Sequence, residues 1–134
     1  MATIHKEIEI DRSEEFVWDA IRDVGNIHKR LVPGFVVDCK LEGDWRTVTF
    51  ANGMVVRELI VSVDDKTRRH SWAAQGELLT HYNGSVQVFP NGDNKSRVVW
   101  IVDLMPNEAA EPIGNMIQQG LETMKRTLEN SAGA

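Results

Sequence analysis

The sequence predicts an α+β fold in which antiparallel strands lie on one long C-terminal helix. Three observations predict it. Over residues 107–129, Ile113, Met116, Ile117, Gly120, Leu121, Met124 and Leu128 recur at spacings of three and four, which is one face of an α-helix. Over residues 35–105 the chain alternates apolar and polar residues in short runs separated by turn residues. A further alternating run at the N-terminus is set apart from these by a stretch with helical spacing. The expected order is therefore a strand, two short helices, about six antiparallel strands and the long helix.

Over residues 3–10, Ile4, Ile8 and Ile10 alternate with His5, Glu7 and Glu9, the pattern of a half-buried strand. Residues 11–15 stop it and offer Ser13 as an N-cap. Phe16, Val17, Ala20, Ile21 and Val24 keep helical spacing up to Gly25, which closes the helix, and Trp18 is expected in the core. Residues 26–32 form a second short helix before Pro33-Gly34 turns the chain. Strands follow over 35–41, with Val37, Cys39 and Leu41 against Val36, Asp38 and Lys40, and then over 45–50, 54–63 and 68–75. A longer loop spans 76–80, and the last two strands span 81–89 and 96–105, where Pro106 ends them. On the closing helix Asn107 is the candidate N-cap and Pro112 must fall in the first turn. Glu108 and Glu111 suit the positive end of its dipole, and Lys125 and Arg126 the negative end. Residues 130–134 read as a frayed tail.

The Ala51-Asn52-Gly53 turn sets which side chains share a face. A two-residue Asn-Gly hairpin would put Arg46 opposite Leu59. A three-residue loop with Gly53 left-handed pairs Phe50 with Met54, Val48 with Val56 and Arg46 with Glu58. The second register sets opposite charges across from each other and aligns apolar residues on one face, and it is preferred.

At 134 residues the chain suits one domain over residues 1–134. Apolar content of 42% and charged content of 26% are those of a soluble globular protein, and a net charge of −5 argues against nucleic acid or an anionic membrane as partner. No apolar run approaches the roughly 18 residues of a membrane span. The single cysteine, Cys39, forms no internal disulfide, and with no signal-peptide core at the N-terminus the expected location is cytoplasmic. His5, His28, His70 and His81 show no ligand spacing, so no metal is expected, and without a Gly-rich phosphate loop or a Ser elbow no cofactor is expected. Val55, Leu59, Val61 and Val63 make the outer face of the fourth strand more apolar than water favours, so neighbours cover it or a homodimer does.

Particular residues in this order resemble a known family. They are Val17-Trp18, Pro33-Gly34, Arg46-Thr47-Val48, Gly53 with Arg57-Glu58-Leu59, Asp64-Asp65 with Arg68-Arg69, Val99-Trp100, and the closing helix. No single piece is diagnostic; their order and spacing are. The chain resembles the START-related, pollen-allergen-like SRPBCC superfamily of hydrophobic-ligand binders, in its small polyketide cyclase/dehydrase-like branch. The resemblance covers nearly the whole chain. It implies a helix-grip fold, a seven-stranded curved antiparallel sheet wrapped around the C-terminal helix with an apolar cavity between them. One departure is that relatives commonly carry a Trp shortly before the position of Pro33, where this chain has His28-Lys29-Arg30-Leu31-Val32.

On that fold the ligand-binding candidates are Arg46, Val48, Phe50, Val56, Glu58, His70, Trp72, Tyr82 and Trp100 on the sheet. Met116, Gly120 and Met124 are the candidates on the helix, with Gly120 as a gap in the cavity wall and the methionines as adaptable filler, while Ile113, Ile117, Leu121 and Leu128 are expected to be plain core. Arg46 and Glu58 are either a structural ion pair or the groups that meet a polar atom of the ligand. His70 and Tyr82 suit a carbonyl or hydroxyl, and Trp72 and Trp100 suit packing or a flat ligand. Two functions fit. One is binding of a small hydrophobic molecule, for transport or sensing. The other is a polyketide cyclase or dehydratase type of enzyme, in which Glu58, His70, Tyr82 and Arg46 position and protonate a carbonyl substrate. Both need an interior void, and one far below the roughly 300 Å³ of ordinary ligand pockets would count against both.

Overall fold

The isoleucine alternation at the N-terminus lays Ala2–Ile10 out as strand β1 in the computed structural model, which describes residues 1–76 and 79–131. Ser13 then caps helix α1 (Glu14–Arg22), its hydroxyl accepting from the Phe16 N–H at 3.2 Å. The helix ends at Asp23, short of Gly25, because Asp23 instead binds the Asn26 side chain, with its carboxylate oxygens 3.0 and 3.1 Å from Nδ2. Helix α2 (Ile27–Arg30) is one turn long, and Gly34 makes the turn beyond it at φ +86°.

Six strands follow: β2 (Val36–Glu42), β3 (Trp45–Phe50), β4 (Val55–Asp64), β5 (Arg69–Gln75), β6 (His81–Pro90) and β7 (Ser96–Met105). All seven strands form one antiparallel sheet in the order β1-β7-β6-β5-β4-β3-β2, so β1 closes against β7 and the edges are β1 and β2. Two bulges bend it. One lies between Val36 and Asp38 and puts both Val36 and Cys39 in the core, leaving Val37 and Leu41 exposed, against the simple alternation expected for β2. The other, between Ile60 and Ser62, turns Val63 onto the core, so Val63 does not share the outer face with Val55 and Val61, which remain exposed. The β3–β4 register is the one the three-residue turn predicts. Arg46 faces Glu58, Val48 faces Val56, and Gly53 holds φ +90° while the Phe50 N–H donates to the Met54 carbonyl at 2.8 Å.

Asn107 does not cap the long helix. It opens a 3-10 turn (Asn107–Ala109) that leads into α3 (Ala110–Glu129), with Pro112 in the first turn. Ile113, Gly114, Ile117, Gly120, Leu121, Met124 and Leu128 are buried toward the sheet. The far end of α3 is tied down by the β1–α1 turn. Arg12 donates to the carbonyls of Leu128, Glu129 and Ser131 at 3.1, 3.1 and 2.8 Å, satisfying groups that a helix C-terminus leaves unpaired. Lys125 also donates to the Glu9 carbonyl at 2.8 Å. The curved sheet thus grips one helix, the arrangement the resemblance implies. Of the expected 76–80 loop and 130–134 tail, residues 77–78 and 132–134 lie outside the described residues. Arg68 is half-buried and paired with Glu14 at 3.3 Å.

Gly84 in the middle of β6 is where this packing is tightest. A side chain there would put its Cβ 3.0 Å from Tyr82 Cε1 and 3.1 Å from Trp72 Cζ2. The Trp72 ring lies over bare backbone because Gly84 has no side chain. Gly84→Ala is therefore expected to destabilise the fold by about 1–3 kcal/mol through overpacking. A shift of the urea midpoint with unchanged m-value would show it, and an unshifted midpoint would contradict it.

Candidate functional site

An interior cavity of about 120 Å³ lies between the concave face of the sheet and α3. Its walls come from β3 to β7, from the α1–α2 region through Ile21, Ile27, Leu31 and Val32, and from Ile113, Met116, Ile117 and Met124 on α3. All the sequence-predicted candidates line it except Gly120. The structure brings together Arg46, Val48, Phe50, Val56, Glu58, His70, Trp72, Tyr82, Trp100, Met116 and Met124. Gly120 is no gap in the wall. A Cβ there would meet Phe35 and Trp100 ring carbons, each at 3.3 Å, so its missing side chain is already filled by those rings. Ile113 and Ile117, expected to be plain core, line the cavity as well. The cavity is also smaller than the roughly 300 Å³ of ordinary ligand pockets, because the rings of Phe35, Trp72, Tyr82 and Trp100 converge on it.

Arg46 and Glu58 form the polar floor. The Arg46 Nε donates to Glu58 Oε1 at 2.6 Å, and the two side chains are 5% and 10% exposed, so the pair is nearly dry. Arg46 Nη1 donates to the Val24 carbonyl at 2.9 Å, which ties the sheet to the end of α1. The guanidinium also stands 5.8 Å from the Trp72 ring. With both ions paired, the floor presents strong dipoles and no net charge.

Beside it stands an aromatic stack. His70 lies on Trp72 with ring centres 4.9 Å apart, Trp100 meets Trp72 edge-on at 5.7 Å, and Tyr82 tilts against Trp72 at 6.5 Å. His70 Nδ1 is 3.1 Å from the Ser62 carbonyl, which only accepts, so Nδ1 carries the hydrogen and Nε2 keeps a lone pair. Burial, helped by the positive charge of Arg46, lowers the His70 pKa from 6.5 to about 4, so the ring is neutral near pH 7. Burial and then the Glu58 carboxylate push the Tyr82 phenol upward, so it stays un-ionised. Cys39 sits outside the cavity, its thiol raised by burial. Among the described residues no three His, Cys, Asp or Glu side chains stand close enough to hold a metal ion.

A second space of about 380 Å³ opens on the surface between α3 and the Pro33-Gly34 and Ala51-Asn52 turns, with Gln119, Glu122, Thr123 and Arg126 on its helix side. Phe35, Phe50 and Met116 line both spaces. The two phenylalanine rings meet edge-on at 5.4 Å. The sequence reading named Phe50 and Met116 but not Phe35 or the α1–α2 apolar residues. The spacing in α1 shows an apolar face that includes Ile21, but not which part of the sheet that face covers.

Two outcomes follow. Removing one member of a dry ion pair strands the other, so Glu58→Gln is expected to lose about 3–5 kcal/mol, while Arg46→Met/Glu58→Gln recovers much of that loss. Equal stability of wild type and Glu58→Gln in urea would show the pair to be solvated. For His70, an unfolded chain takes up its proton as pH falls through 6.5, whereas the folded protein resists until about 4. Its contribution is thus fully present above 6.5 and is lost as pH falls toward 4, by about 3 kcal/mol in all. His70→Phe should flatten that part of the stability–pH curve, and an unchanged slope would contradict the assignment.

Comparison with known proteins places this geometry. The family model described as polyketide cyclase/dehydrase and lipid transport matches residues 1–129. No curated protein matches the chain. Among solved structures, XoxI from Bacillus cereus superposes with a TM-score of 0.87 at 23% identity, covering 97% of this chain and 97% of that one. Norcoclaurine synthase from Thalictrum flavum gives 0.73 at 21% identity, over 96% of this chain and 84% of that one. The di-domain ARO/CYC BexL from the BE-7585A biosynthetic pathway gives 0.83 at 16% identity, over 96% of this chain and 47% of that one. At such identities the structural likeness shows the fold alone. With the family model spanning all but the last few residues, the chain belongs to the polyketide cyclase/dehydrase and lipid transport family of SRPBCC proteins.

Proposed function

We propose that the protein binds a small hydrophobic molecule in the cavity between the sheet and α3, with the ligand's polar atom turned toward Arg46, Glu58, His70 and Tyr82. The observation that carries this reading is the cavity itself, an apolar pocket with these few polar side chains gathered on its sheet side. At about 120 Å³ it is ring-sized as it stands. An apolar cavity of about 150 Å³ in another protein is enough for benzene. A longer ligand gains room when Phe35, Phe50 and Met116 swing aside and join the cavity to the surface cleft. Met116, with its unbranched thioether, is suited to that movement.

Binding is favoured over the cyclase or dehydratase reading by proton affinity. A general acid or base works best with a pKa near the working pH. Here burial drives the His70 imidazole down to about 4 and the Tyr82 phenol up, away from neutrality in both directions. Glu58 is engaged by Arg46 and His70 by the Ser62 carbonyl, so among the described residues these groups form no hydrogen-bonded acid–base pair. The expected role is carriage or sensing of the ligand, with no metal or cofactor. No helix among the described residues is long and apolar enough to cross a membrane.

Benzene titrated into the protein should shift the methyl resonances of Val86, Ile117 and Met124 in a saturable way. Val86→Phe, which fills the cavity from the sheet side, should abolish the shifts while the protein stays folded. Unshifted methyls in wild type, or shifts that survive Val86→Phe, would contradict the proposal.

A further inference from the structure

Three nitrogens on the side chains lining the cavity are buried and have no hydrogen-bond partner among the described residues: His70 Nε2, Trp72 Nε1 and Trp100 Nε1. Buried polar atoms are nearly always paired, by protein or by ordered water. Three such atoms around one apolar cavity are therefore a specification of what enters it. They differ in kind. The two indole nitrogens can only donate, and His70 Nε2 can only accept, because Nδ1 spends its hydrogen on the Ser62 carbonyl. The contrast with Trp18 is informative: its indole N–H, on the far side of α1, donates to Asp65 at 2.9 Å. Trp72 has no such partner, and Trp100 has only the Tyr82 hydroxyl beside it.

Charge narrows the ligand further. Arg46 is occupied by Glu58 and by the Val24 carbonyl, so an anionic ligand would have no free counter-ion in the cavity. Glu58 is likewise balanced by Arg46, so a cationic ligand would bring an uncompensated charge into the cavity. Either costs the full desolvation of a charge. Size and shape agree, since the space is ring-sized and bounded by flat rings.

Resting on the binding reading above, we infer that the ligand is a neutral single-ring molecule with a hydroxyl group, of the phenol class. Its hydroxyl hydrogen goes to His70 Nε2, and its oxygen accepts from an indole N–H of Trp72 or Trp100. One oxygen thus answers the acceptor and a donor at once. His70 acts here as a specificity determinant and takes no proton.

The test compares phenol, toluene and benzoate as ligands of the intact protein by calorimetry, together with the indole N–H resonances. Phenol should bind about tenfold to a hundredfold tighter than toluene, which leaves the same nitrogens unpaired. Benzoate should bind at least a hundredfold more weakly than phenol. Phenol should also move the indole N–H signal of Trp72 or Trp100 downfield and leave that of Trp18 unmoved. In His70→Phe, which keeps the stacked ring, phenol should lose its advantage over toluene to within about threefold. The inference is overturned if toluene binds wild type as tightly as phenol, or if benzoate matches phenol. It is equally overturned if phenol binds without moving either indole signal. In those cases the cavity still binds and only the ligand class is wrong. If neither phenol nor toluene binds, the binding reading itself falls. Should His70→Phe not fold, the wild-type comparisons decide the matter alone.

Discussion

The salt bridge between Arg46 and Glu58 is the constraint around which the rest of the site is arranged. Two opposite charges lie directly across from one another on neighbouring strands, 2.6 Å apart and almost out of water. Such a pair is tolerable only when both ions are engaged, so the register of β3 on β4 cannot slip without exposing an uncompensated charge to the core. The same guanidinium reaches the Val24 carbonyl, so the pair also sets where the end of α1 sits over the sheet. Neutralised in this way, it gives the cavity a polar floor without a net charge, while burial and the nearby Arg46 guanidinium keep His70 un-ionised.

Above this floor, bare backbone does as much as side chains. Gly84 lets the Trp72 ring lie against β6, and Gly120 lets Trp100 and Phe35 press against α3. One glycine is on the sheet and one on the helix, and each lets aromatic rings pack close to backbone beside the cavity. That explains a cavity in which large side chains predominate and only a ring-sized volume is left. Phe35, Phe50 and Met116 also line the larger cleft on the surface. The backbone at the far end of α3 is fastened by Arg12 and Lys125.

Much of this was legible in the residues, and what was not has identifiable causes. The β3–β4 register followed from opposite charges and a left-handed Gly53, both local and both strongly constrained. The stripe on the closing helix was equally plain from its spacing. Bulges were not, because a β-bulge inserts one residue without any required side-chain type, and so Val36 and Val63 changed faces unannounced. Gly120 was read as open space because a sequence shows a missing side chain but not the neighbour that fills it. The part played by Ile21, Ile27 and Leu31 depends on how α1 and α2 fold over the sheet, a long-range arrangement that short helices do not encode in their periodicity. The volume of the cavity depends on all of these together, which is why the fold alone did not give it.

The central claim is that the space between sheet and helix is hollow, apolar and able to take a guest beside the Arg46–Glu58 pair. Xenon under pressure tests it most directly, since it enters dry apolar cavities and ignores filled cores. In a crystal of the protein so treated, the account predicts an ordered xenon peak enclosed by Val86, Trp72, Ile117 and Met124. A crystal with no xenon there, in which the rings of Phe35 and Trp100 close the space, would contradict it.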